Sequence, residues 1–202
     1  MPAPVFTIGH SNHSLEHLLA LLQQHAITAL CDVRSHPYSQ RNPQFDREAL
    51  KESLRQKNIK YVFLGKELGA RSEDPSCYQQ GKISYERLAQ TELFRQGLDR
   101  VQEGLNTHRL AIMCAEKKPV DCHRTILVAR YLASRGLEVQ HILADGSLEA
   151  HSTTLRRLAI DLDLRADELH LFCTPEDLLS EAYRLQERRI AYEPEERDAI
   201  NA

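Results

Sequence analysis

Residues 110–143, LAIMCAEKKPVDCHRTILVARYLASRGLEVQHIL, contain the pattern that most clearly indicates the fold class. Residues 110–115 and 137–143 each predict a strand. Between them, apolar residues recur at helical spacing from Pro119 or Asp121 until Gly136, which predicts the end of a helix. A strand–helix–strand unit of this kind predicts two parallel strands joined by a right-handed crossover.

The same alternation extends over the rest of the chain. Further strands are predicted at 5–9, 27–33, 59–64 and 169–173, and further helices after Ser14, at 46–57, from Ser84 to about Gly104, at 147–160 and after Thr174-Pro175. Residues 65–82 carry no periodicity and predict a long loop. We therefore predict an α/β fold: a single domain of 1–202, with a mostly parallel sheet of five to six strands and helices on both faces. Its C-terminal extension is predicted at 159–191 and a frayed tail at 192–202.

Length and composition exclude several classes of protein. A chain of 202 residues with 42% hydrophobic residues can bury a substantial core. Its longest apolar runs fall far short of the roughly 20 residues that span a bilayer. No basic start or cleavage site for a secretory signal is visible, and the five cysteines are scattered, so a disulfide framework is not expected. We expect a cytoplasmic protein with no membrane partner, and the sequence predicts no oligomeric state.

Charge is distributed unevenly along the chain, although the net charge is only −3. From Arg34 to Arg71 there are nine Lys and Arg against four Asp and Glu, whereas from Asp145 onward there are seven against fourteen. A basic segment favours a phosphate-bearing small molecule or nucleic acid as partner, and an acidic tail favours solubility. The alternative is that both segments are solvated helix faces.

Chemically versatile side chains follow three predicted strands and open one predicted helix. They lie in the stretches Gly9–Asn12, Asp32–Ser39, Met113–Glu116 and Asp121–Arg124. In parallel sheets, ligands bind outside the carboxyl ends of the strands. We therefore expect these four stretches to meet around one shared cavity.

The residue types at this edge suggest a cysteine-dependent site. Either Cys114 or Cys122 is the candidate nucleophile, since free N–H groups at a helix start lower the pKa of a thiol. The candidate base is His123 or His10, and Glu116 or Asp32 would orient that base or move protons. Arg34 and Arg124 are predicted to bind phosphate or carboxylate. The alternatives are structural: cysteines that only fill the core, an Asp32 that only pairs with Arg34, and a His10 that bonds its own turn.

No metal or cofactor is predicted. Neither the Cys114–Cys122 spacing nor the adjacent Cys122-His123 pair is a usual zinc arrangement, so a structural metal site is the least favoured alternative. The chain also lacks the glycine-rich nucleotide-binding motifs and the GxSxG elbow.

Several motifs, taken together, carry a resemblance to a known family. They are TIGHS at 7–11, DVRS at 32–35 with Pro37 and Ser39, RNPQF at 41–45, Leu64-Gly65, Leu68-Gly69, MCAE at 113–116, Pro119, CHR at 122–124, His141-Ile142 and Asp145-Gly146. In this order, from residue 5 to about 158, the chain resembles the domain of unknown function 488 family. One departure is Ala70, where that family usually has a second glycine before the arginine.

The resemblance implies a compact α/β fold and marks site residues, but it implies no reaction. The marked positions are His10, Ser11, Asp32, Arg34, Arg71, Cys114, Glu116, Cys122, His123 and Arg124. Ser11 and Arg71 enter the candidate site on this ground, as substrate-binding residues. The function we expect is an enzyme acting on a nucleotide or nucleic acid through a cysteine thiolate, a transferase or a hydrolase. A non-catalytic binding module for phosphate, nucleotide or nucleic acid is the alternative.

Overall fold

The computed structural model describes residues 3–164 and 174–194, and it contains one six-stranded sheet. The sheet strands are β1 (Val5–Gly9), β2 (Ala29–Asp32), β3 (Lys60–Phe63), β6 (Leu110–Cys114), β7 (Val139–Ile142) and β8 (Leu148–Ala150). Their order is β3-β2-β6-β1-β7-β8, and every pairing is parallel except that of β7 with β8. A separate two-stranded hairpin is formed by β4 (Tyr78–Gln79) and β5 (Lys82–Ile83).

Helices cover both faces of the sheet. They are α1 (Leu15–Gln24), α2 (Arg47–Gln56), α3 (Gly65–Leu68), α4 (Tyr85–Gln90), α5 (Glu92–Gly104), α6 (Arg130–Ser134), α7 (His151–Asp161) and α8 (Pro175–Ile190). Leucines of α1 and α2 pack with Phe6, Ile8 and Met113 in one core cluster. Residues of α3 to α8 pack with Val5 and Ile112 in the other. Because neighbouring residues of a strand point to opposite faces, β1 contributes to both clusters. The predicted fold class is confirmed.

Several predicted elements differ in detail. The helix expected from Ser84 to Gly104 is broken at Thr91, whose side chain accepts a hydrogen bond from the Phe94 N–H and begins α5 as a second helix. The helix expected after Pro119 is a 3-10 turn (Pro119–Asp121), a π-helical segment (Arg124–Ala129) and then α6. The predicted loop at 65–82 contains α3 and β4, and strand β8 was not predicted. The strand predicted at 169–173 lies outside the described residues.

The C-terminal segment packs back onto the domain. The Gln186 side chain donates to the Val120 carbonyl at 3.0 Å, and the Tyr192 carbonyl accepts from the Ile83 N–H at 2.9 Å. Tyr192 was predicted in a frayed tail, yet its backbone is hydrogen-bonded and its ring is half-buried. Residues 195–202 lie outside the described part. Among the described helices, none is both long and apolar enough to cross a bilayer.

Three neighbouring parallel strands bring the candidate residues to one edge. Backbone hydrogen bonds continue between the segments that follow β1, β2 and β6. The N–H of His10 donates to the Cys114 carbonyl at 3.0 Å, and the N–H of Ser11 donates to the Ala115 carbonyl at 2.8 Å. The Val33 N–H donates to the Met113 carbonyl at 3.0 Å. These bonds fix the loops that carry the site relative to one another.

Candidate functional site

Two thiols, an imidazole and a carboxylate converge at this edge. One side-chain donor atom from each of Cys114, Glu116, Cys122 and His123 lies within 4.8 Å of those of the other three. Cys114 ends β6 and Glu116 follows it, whereas Cys122 and His123 lie between the 3-10 turn and the π-helical segment. The cluster therefore joins the end of a strand to the start of the following helical segment.

The imidazole of His123 is oriented by a backbone carbonyl. Its Nε2 lies 3.1 Å from the Val33 carbonyl oxygen, which can only accept, so Nε2 carries the hydrogen. In the neutral ring, Nδ1 then presents its lone pair to the thiols, 3.5 Å from Cys114 Sγ and 4.0 Å from Cys122 Sγ. This arrangement places the His123 Nδ1 atom near both thiols.

A change in backbone direction lets two sequence neighbours reach the same point. Cys122 is extended, with φ −138° and ψ 140°, whereas His123 is helical, with φ −60° and ψ −25°. In a regular strand, adjacent side chains point to opposite faces. The transition between the two conformations places both side chains on the same side of the chain.

The electrostatics of the cluster distinguish the two thiols. Burial raises the pKa of Cys122, but Cys114, the Arg124 guanidinium and His123 outweigh it and lower that pKa well below its usual value. Burial, together with Cys122 and Glu116, raises the pKa of Cys114. Burial lowers the pKa of His123, but its contact with Cys122 outweighs this and raises it. These directions favour the thiolate at Cys122 over Cys114 and favour the protonated form of the neighbouring imidazole.

Glu116 and Tyr85 complete the polar surroundings. Glu116 is exposed as a residue, yet its carboxylate turns toward the thiols, and burial together with Cys122 raises its pKa. Burial, followed by the charge on Cys122, also raises the pKa of Tyr85. Both groups are therefore biased toward the protonated form and can donate a hydrogen bond or a proton.

Cys114, but not Cys122, lines a cavity of about 250 Å³. The wall also contains Arg34, Ser35, His36, Ala70, Arg71, Tyr85, Ala115, Glu116, Asp121, His123, Ile190 and Tyr192. A second cavity of about 350 Å³ shares Arg34, His36, Ala115 and Glu116 with the first and adds His10 and Ser11. Residues of three predicted stretches, Asp32–Ser39, Met113–Glu116 and Asp121–Arg124, therefore line the first cavity, whereas Gly9–Asn12 lines only the second.

Arg124 occupies a different position from the one expected of a substrate contact. It is completely buried, and its guanidinium donates to the carbonyls of Glu116 at 2.6 Å and Lys117 at 3.3 Å. Its backbone N–H lies 3.4 Å from Cys122 Sγ. Arg124 therefore holds the loop after β6 and the Cys122 sulfur, and it lines neither cavity.

Asp32, Arg34 and His10 form a buried network beside the cluster. Arg34 pairs with Asp32 at 2.6 Å, donates to the Phe45 carbonyl at 2.8 Å and lies 3.2 Å from His10 Nε2. Asp32 also accepts from the Tyr61 hydroxyl, and His10 Nδ1 bonds the Ser11 carbonyl. Burial, together with Arg34, lowers the pKa of His10 to about 4. These contacts match the structural alternatives, since both ring nitrogens of His10 and the Asp32 carboxylate already have partners.

Ser11 and Arg71 lie at the cavity rims. Ser11 has a φ of 50°, an uncommon conformation for a residue with a side chain, and it lines the second cavity. Arg71 is exposed, its guanidinium carbon lies 4.3 Å from the centre of the Tyr192 ring, and its N–H donates to Ser35 Oγ. Arg71 is thus the most accessible of the arginines predicted to bind substrate.

Sequence reasoning missed part of the wall. Tyr85, Ile190 and Tyr192 come from α4 and from the end of the chain, far in sequence from any predicted strand end. No local motif marks them, because only the packing of α8 against α7, the 3-10 turn and the π-helical segment brings residues 190–192 there. Asp121 lies within a stretch that we did single out.

The chain matches a protein-family model that covers most of the site. The model described as "Domain of unknown function DUF488" matches residues 14–132, which include Cys114, Glu116, Cys122 and His123. The chain belongs to this family. Comparisons with curated proteins and with solved structures give no match. The DUF488 match ends before α7 and α8, so Ile190 and Tyr192 reach the cavity from outside the matched range.

Replacing Gly9 with alanine is expected to lower the free energy of unfolding by about 2–3 kcal/mol. A Cβ at this position would lie 1.9 Å from the Glu116 carbonyl oxygen, which Arg124 also holds, so backbone must shift. Urea unfolding measures the effect. Gly104→Ala is the matched control, since its Cβ would meet only the end of the Leu110 side chain, at 3.1 Å. Equal stability of both variants would contradict the tight contact.

Proposed function

We propose that this protein is a cysteine-dependent enzyme, a transferase or hydrolase that acts on a phosphate-bearing substrate. One observation carries the proposal: Cys114 lines the cavity, and its Sγ lies 3.5 Å from His123 Nδ1, while Nε2 of the same ring is bonded to the Val33 carbonyl. A nucleophile within reach of a base that a third group orients is the arrangement that nucleophilic catalysis requires.

The cluster supports a balanced two-step reaction. In the first step Cys114 Sγ attacks the phosphorus or carbonyl carbon of the bound substrate, and its proton passes to the Cys122–His123 pair. The bond to the leaving oxygen breaks, and Glu116, whose raised pKa favours the protonated form, supplies that oxygen with a proton. In the second step water, or the hydroxyl of another acceptor, attacks the same phosphorus or carbon, and its bond to Cys114 Sγ breaks. The Cys122–His123 pair returns its proton to that sulfur, and the proton lost by the attacking oxygen restores Glu116.

Arg71 gives the cavity wall one exposed cation that favours an anionic substrate group. Arg34 also lines the wall but is paired with Asp32, and Glu116 and Asp121 are the acidic members of the wall. An exposed guanidinium such as that of Arg71 binds phosphate in a bidentate manner. We propose that the phosphate contacts Arg71 at the rim while the reacting atom lies at Cys114, which suits a nucleotide or the end of a nucleic acid.

The contacts of two arginines favour this enzyme over a simple binding module. A binding module needs unengaged cations, but Arg34 is paired with Asp32 and Arg124 donates to two carbonyls of its own chain. Binding alone also gives no reason to place Cys114, Cys122 and Glu116 together at the cavity.

Alkylation of Cys114 by iodoacetamide is expected to slow at least tenfold in the His123→Asn variant, because the variant loses the base for the thiol proton. Mass spectrometry after timed modification of metal-free protein resolves each cysteine. His108→Asn is the matched control, because His108 precedes β6 and lies at the opposite end of that strand. An unchanged rate in His123→Asn would refute thiol activation by His123.

The same assay tests the substrate class. Excess adenosine monophosphate or inorganic phosphate is expected to protect Cys114 of the wild type from alkylation. The same compounds are expected to give no protection in the Arg71→Met variant. If neither compound protects Cys114 at any concentration, the phosphate-bearing substrate is wrong even where the thiol is activated. If protection survives in Arg71→Met, the assigned phosphate contact is wrong.

A further inference from the structure

We propose that Cys114, Glu116, Cys122 and His123 form a binding site for one zinc ion. The four candidate ligand atoms, two thiol sulfurs, one imidazole nitrogen and one carboxylate oxygen, all lie within 4.8 Å of one another. Sulfur, nitrogen and oxygen donors in a group of four are the set that zinc takes in proteins. The inference goes beyond the proposed function, because binding of the ion does not depend on the proposed reaction.

The distances suit tetrahedral coordination. With zinc–sulfur bonds of about 2.3 Å and zinc–nitrogen bonds of about 2.0–2.1 Å, ligand sulfur and nitrogen atoms lie about 3.6 Å apart. Cys114 Sγ and His123 Nδ1 are 3.5 Å apart, and Cys122 Sγ and His123 Nδ1 are 4.0 Å apart. Closing around an ion therefore requires movements of a few tenths of an ångström at these atoms. Glu116 has the most freedom to follow, since it is the exposed member of the set.

Surrounding contacts hold the ligands in the required orientation. A metal-binding histidine usually donates its other N–H to a carbonyl or carboxylate, and His123 Nε2 already meets the Val33 carbonyl at 3.1 Å. The Arg124 N–H lies 3.4 Å from Cys122 Sγ, and the Arg124 guanidinium holds the Glu116 carbonyl at 2.6 Å. These contacts orient His123 and Cys122 and hold the backbone of Glu116, while the Glu116 carboxylate stays free to turn.

The donor types and the local charge select the ion. Two thiolates favour a borderline-soft ion such as zinc over magnesium or calcium, which take oxygen ligands. Two thiolates and one carboxylate exceed the charge of a divalent ion by one, and the buried guanidinium of Arg124 offsets that excess. The cavity lined by Cys114, Glu116 and His123 supplies the entry path.

Zinc at this position would regulate the proposed chemistry. A sulfur bound to zinc has its lone pair engaged, and His123 Nδ1 is then no longer available as a base. The metal-loaded protein is therefore expected to be protected from alkylation at both Cys114 and Cys122, and a chelator is expected to restore the modification.

The test uses the full chain, reduced, stripped of metal with a chelator and desalted. Cobalt(II) is added first, and we expect one equivalent to give thiolate-to-cobalt charge-transfer absorption together with the visible bands of tetrahedral cobalt. Zinc is expected to displace the cobalt stoichiometrically. Spectra without these bands, together with fewer than one zinc retained per two chains after desalting, would overturn the proposal.

Variants then assign the ligands. Cys114→Ser, Cys122→Ser and His123→Asn are each expected to weaken zinc binding at least tenfold in competition with a chromogenic chelator. Cys31→Ala, a buried thiol of β2 outside the cluster, is the matched control and is expected to bind as the wild type does. Circular dichroism identifies any variant that fails to fold, and the cobalt spectrum of the wild type tests the proposal without variants. Undiminished binding in the folded ligand variants would refute the assignment.

The two proposals fail separately. If the metal-free protein shows His123-dependent alkylation of Cys114 but binds no zinc, the zinc site is wrong and the proposed function stands. If zinc binds but alkylation of the metal-free protein does not depend on His123, the zinc site stands and the proposed function is wrong.

Discussion

Replacing Arg34 with methionine is expected to lower the free energy of unfolding by about 3–5 kcal/mol, the cost of leaving a buried charge without its partner. Asp32 is completely buried, and Arg34 is its ion-pair partner at 2.6 Å. The substitution also removes the hydrogen bond to the Phe45 carbonyl and the contact with His10 Nε2. Urea unfolding at pH 7 measures the loss, which will be accompanied by looser loops around the cavity.

Two further variants separate charge burial from the loss of a long side chain. Arg55→Met breaks an exposed pair with Glu52 and is expected to leave the free energy of unfolding nearly unchanged. The double variant Asp32→Asn with Arg34→Met removes the uncompensated charge and is expected to recover part of the loss. If Arg34→Met costs no more than Arg55→Met, the Asp32–Arg34 pair is not the buried charge pair described here.

Acidification from pH 7.5 to pH 5 is expected to destabilise the protein steeply, because three histidines are buried in the neutral form. Burial lowers the pKa of His151 to about 4, and burial followed by Arg34 lowers that of His10 to about 4. Burial, followed by His151, lowers the pKa of His141 well below its usual value. In the unfolded chain these groups titrate near about 6.5, so the unfolded state binds more protons below that pH.

The geometry explains why the histidines resist protonation. Thr7 Oγ1 lies 2.7 Å from His141 Nδ1, His141 Nε2 lies 3.0 Å from His151 Nδ1, and His151 Nε2 lies 2.8 Å from the Tyr183 hydroxyl. The two rings share a single hydrogen across their contact, so a second proton there would break the chain of bonds. This buried chain links β1 and β7 to α7 and α8, and α8 leads to the cavity wall.

The sign and size of the acid effect follow from these shifts. The contribution of these buried neutral histidines to the free energy of unfolding is fully present above about pH 6.5. It falls as the pH decreases toward the folded-state pKa, by up to about 1.4 kcal/mol per pH unit for each histidine. For His151 the loss approaches about 3 kcal/mol by pH 4, and His10 adds a similar amount. Urea unfolding at half-unit pH intervals measures the slope.

His151→Gln provides the internal check on this slope. The variant lacks one titrating ring and is expected to show a shallower decline with pH, whereas His36→Gln, at an exposed position, controls for the loss of an imidazole. Stability that stays constant from pH 7.5 to pH 5 would mean that the buried histidines accept protons in the folded state.

The centre of the sheet was predictable because its strands are buried. The pattern located β1, β2, β3, β6 and β7 to within two residues at each end. Strands β1, β2 and β6 are buried throughout and therefore almost wholly apolar, whereas β3 has one exposed and three half-buried residues. The hairpin of β4 and β5 and the edge strand β8 were missed. Each has only two or three residues, mostly exposed or half-buried, so no hydrophobic pattern marks it.

The helices show how local signals compete. Ser14 and Ser84 were recognised as helix starts, and both accept the expected backbone hydrogen bond. Thr91 was read as part of a continuous helix, although its side chain begins α5. A threonine inside an apolar periodicity is compatible with both interpretations, and the packing of two short helices decided between them.

At the site, parallel strands alone allowed us to place Cys114, Arg34 and His10 at one edge, because the carboxyl ends of neighbouring parallel strands must adjoin. The roles of the individual side chains were harder to predict. Whether an arginine faces a cavity or its own backbone depends on the course of a loop, and in this chain Arg124 is bonded to the carbonyls of the loop after β6.

The local sequence pattern was enough to establish the α/β class and the strand positions, because hydrophobic periodicity is a property of short segments. The alternation of strands and helices along the chain then placed thiol, imidazole and carboxylate groups at one end of the sheet. The convergence of two sulfurs, one nitrogen and one oxygen within 4.8 Å was not accessible in that way. It depends on the turn between Cys122 and His123, on the Val33 carbonyl that orients the imidazole, and on a helix from the far end of the chain that supports the preceding turn. Contacts between residues that are distant along the chain depend on how whole helices and strands pack. The spacing of residues in the sequence therefore does not determine interatomic distances at the ångström scale.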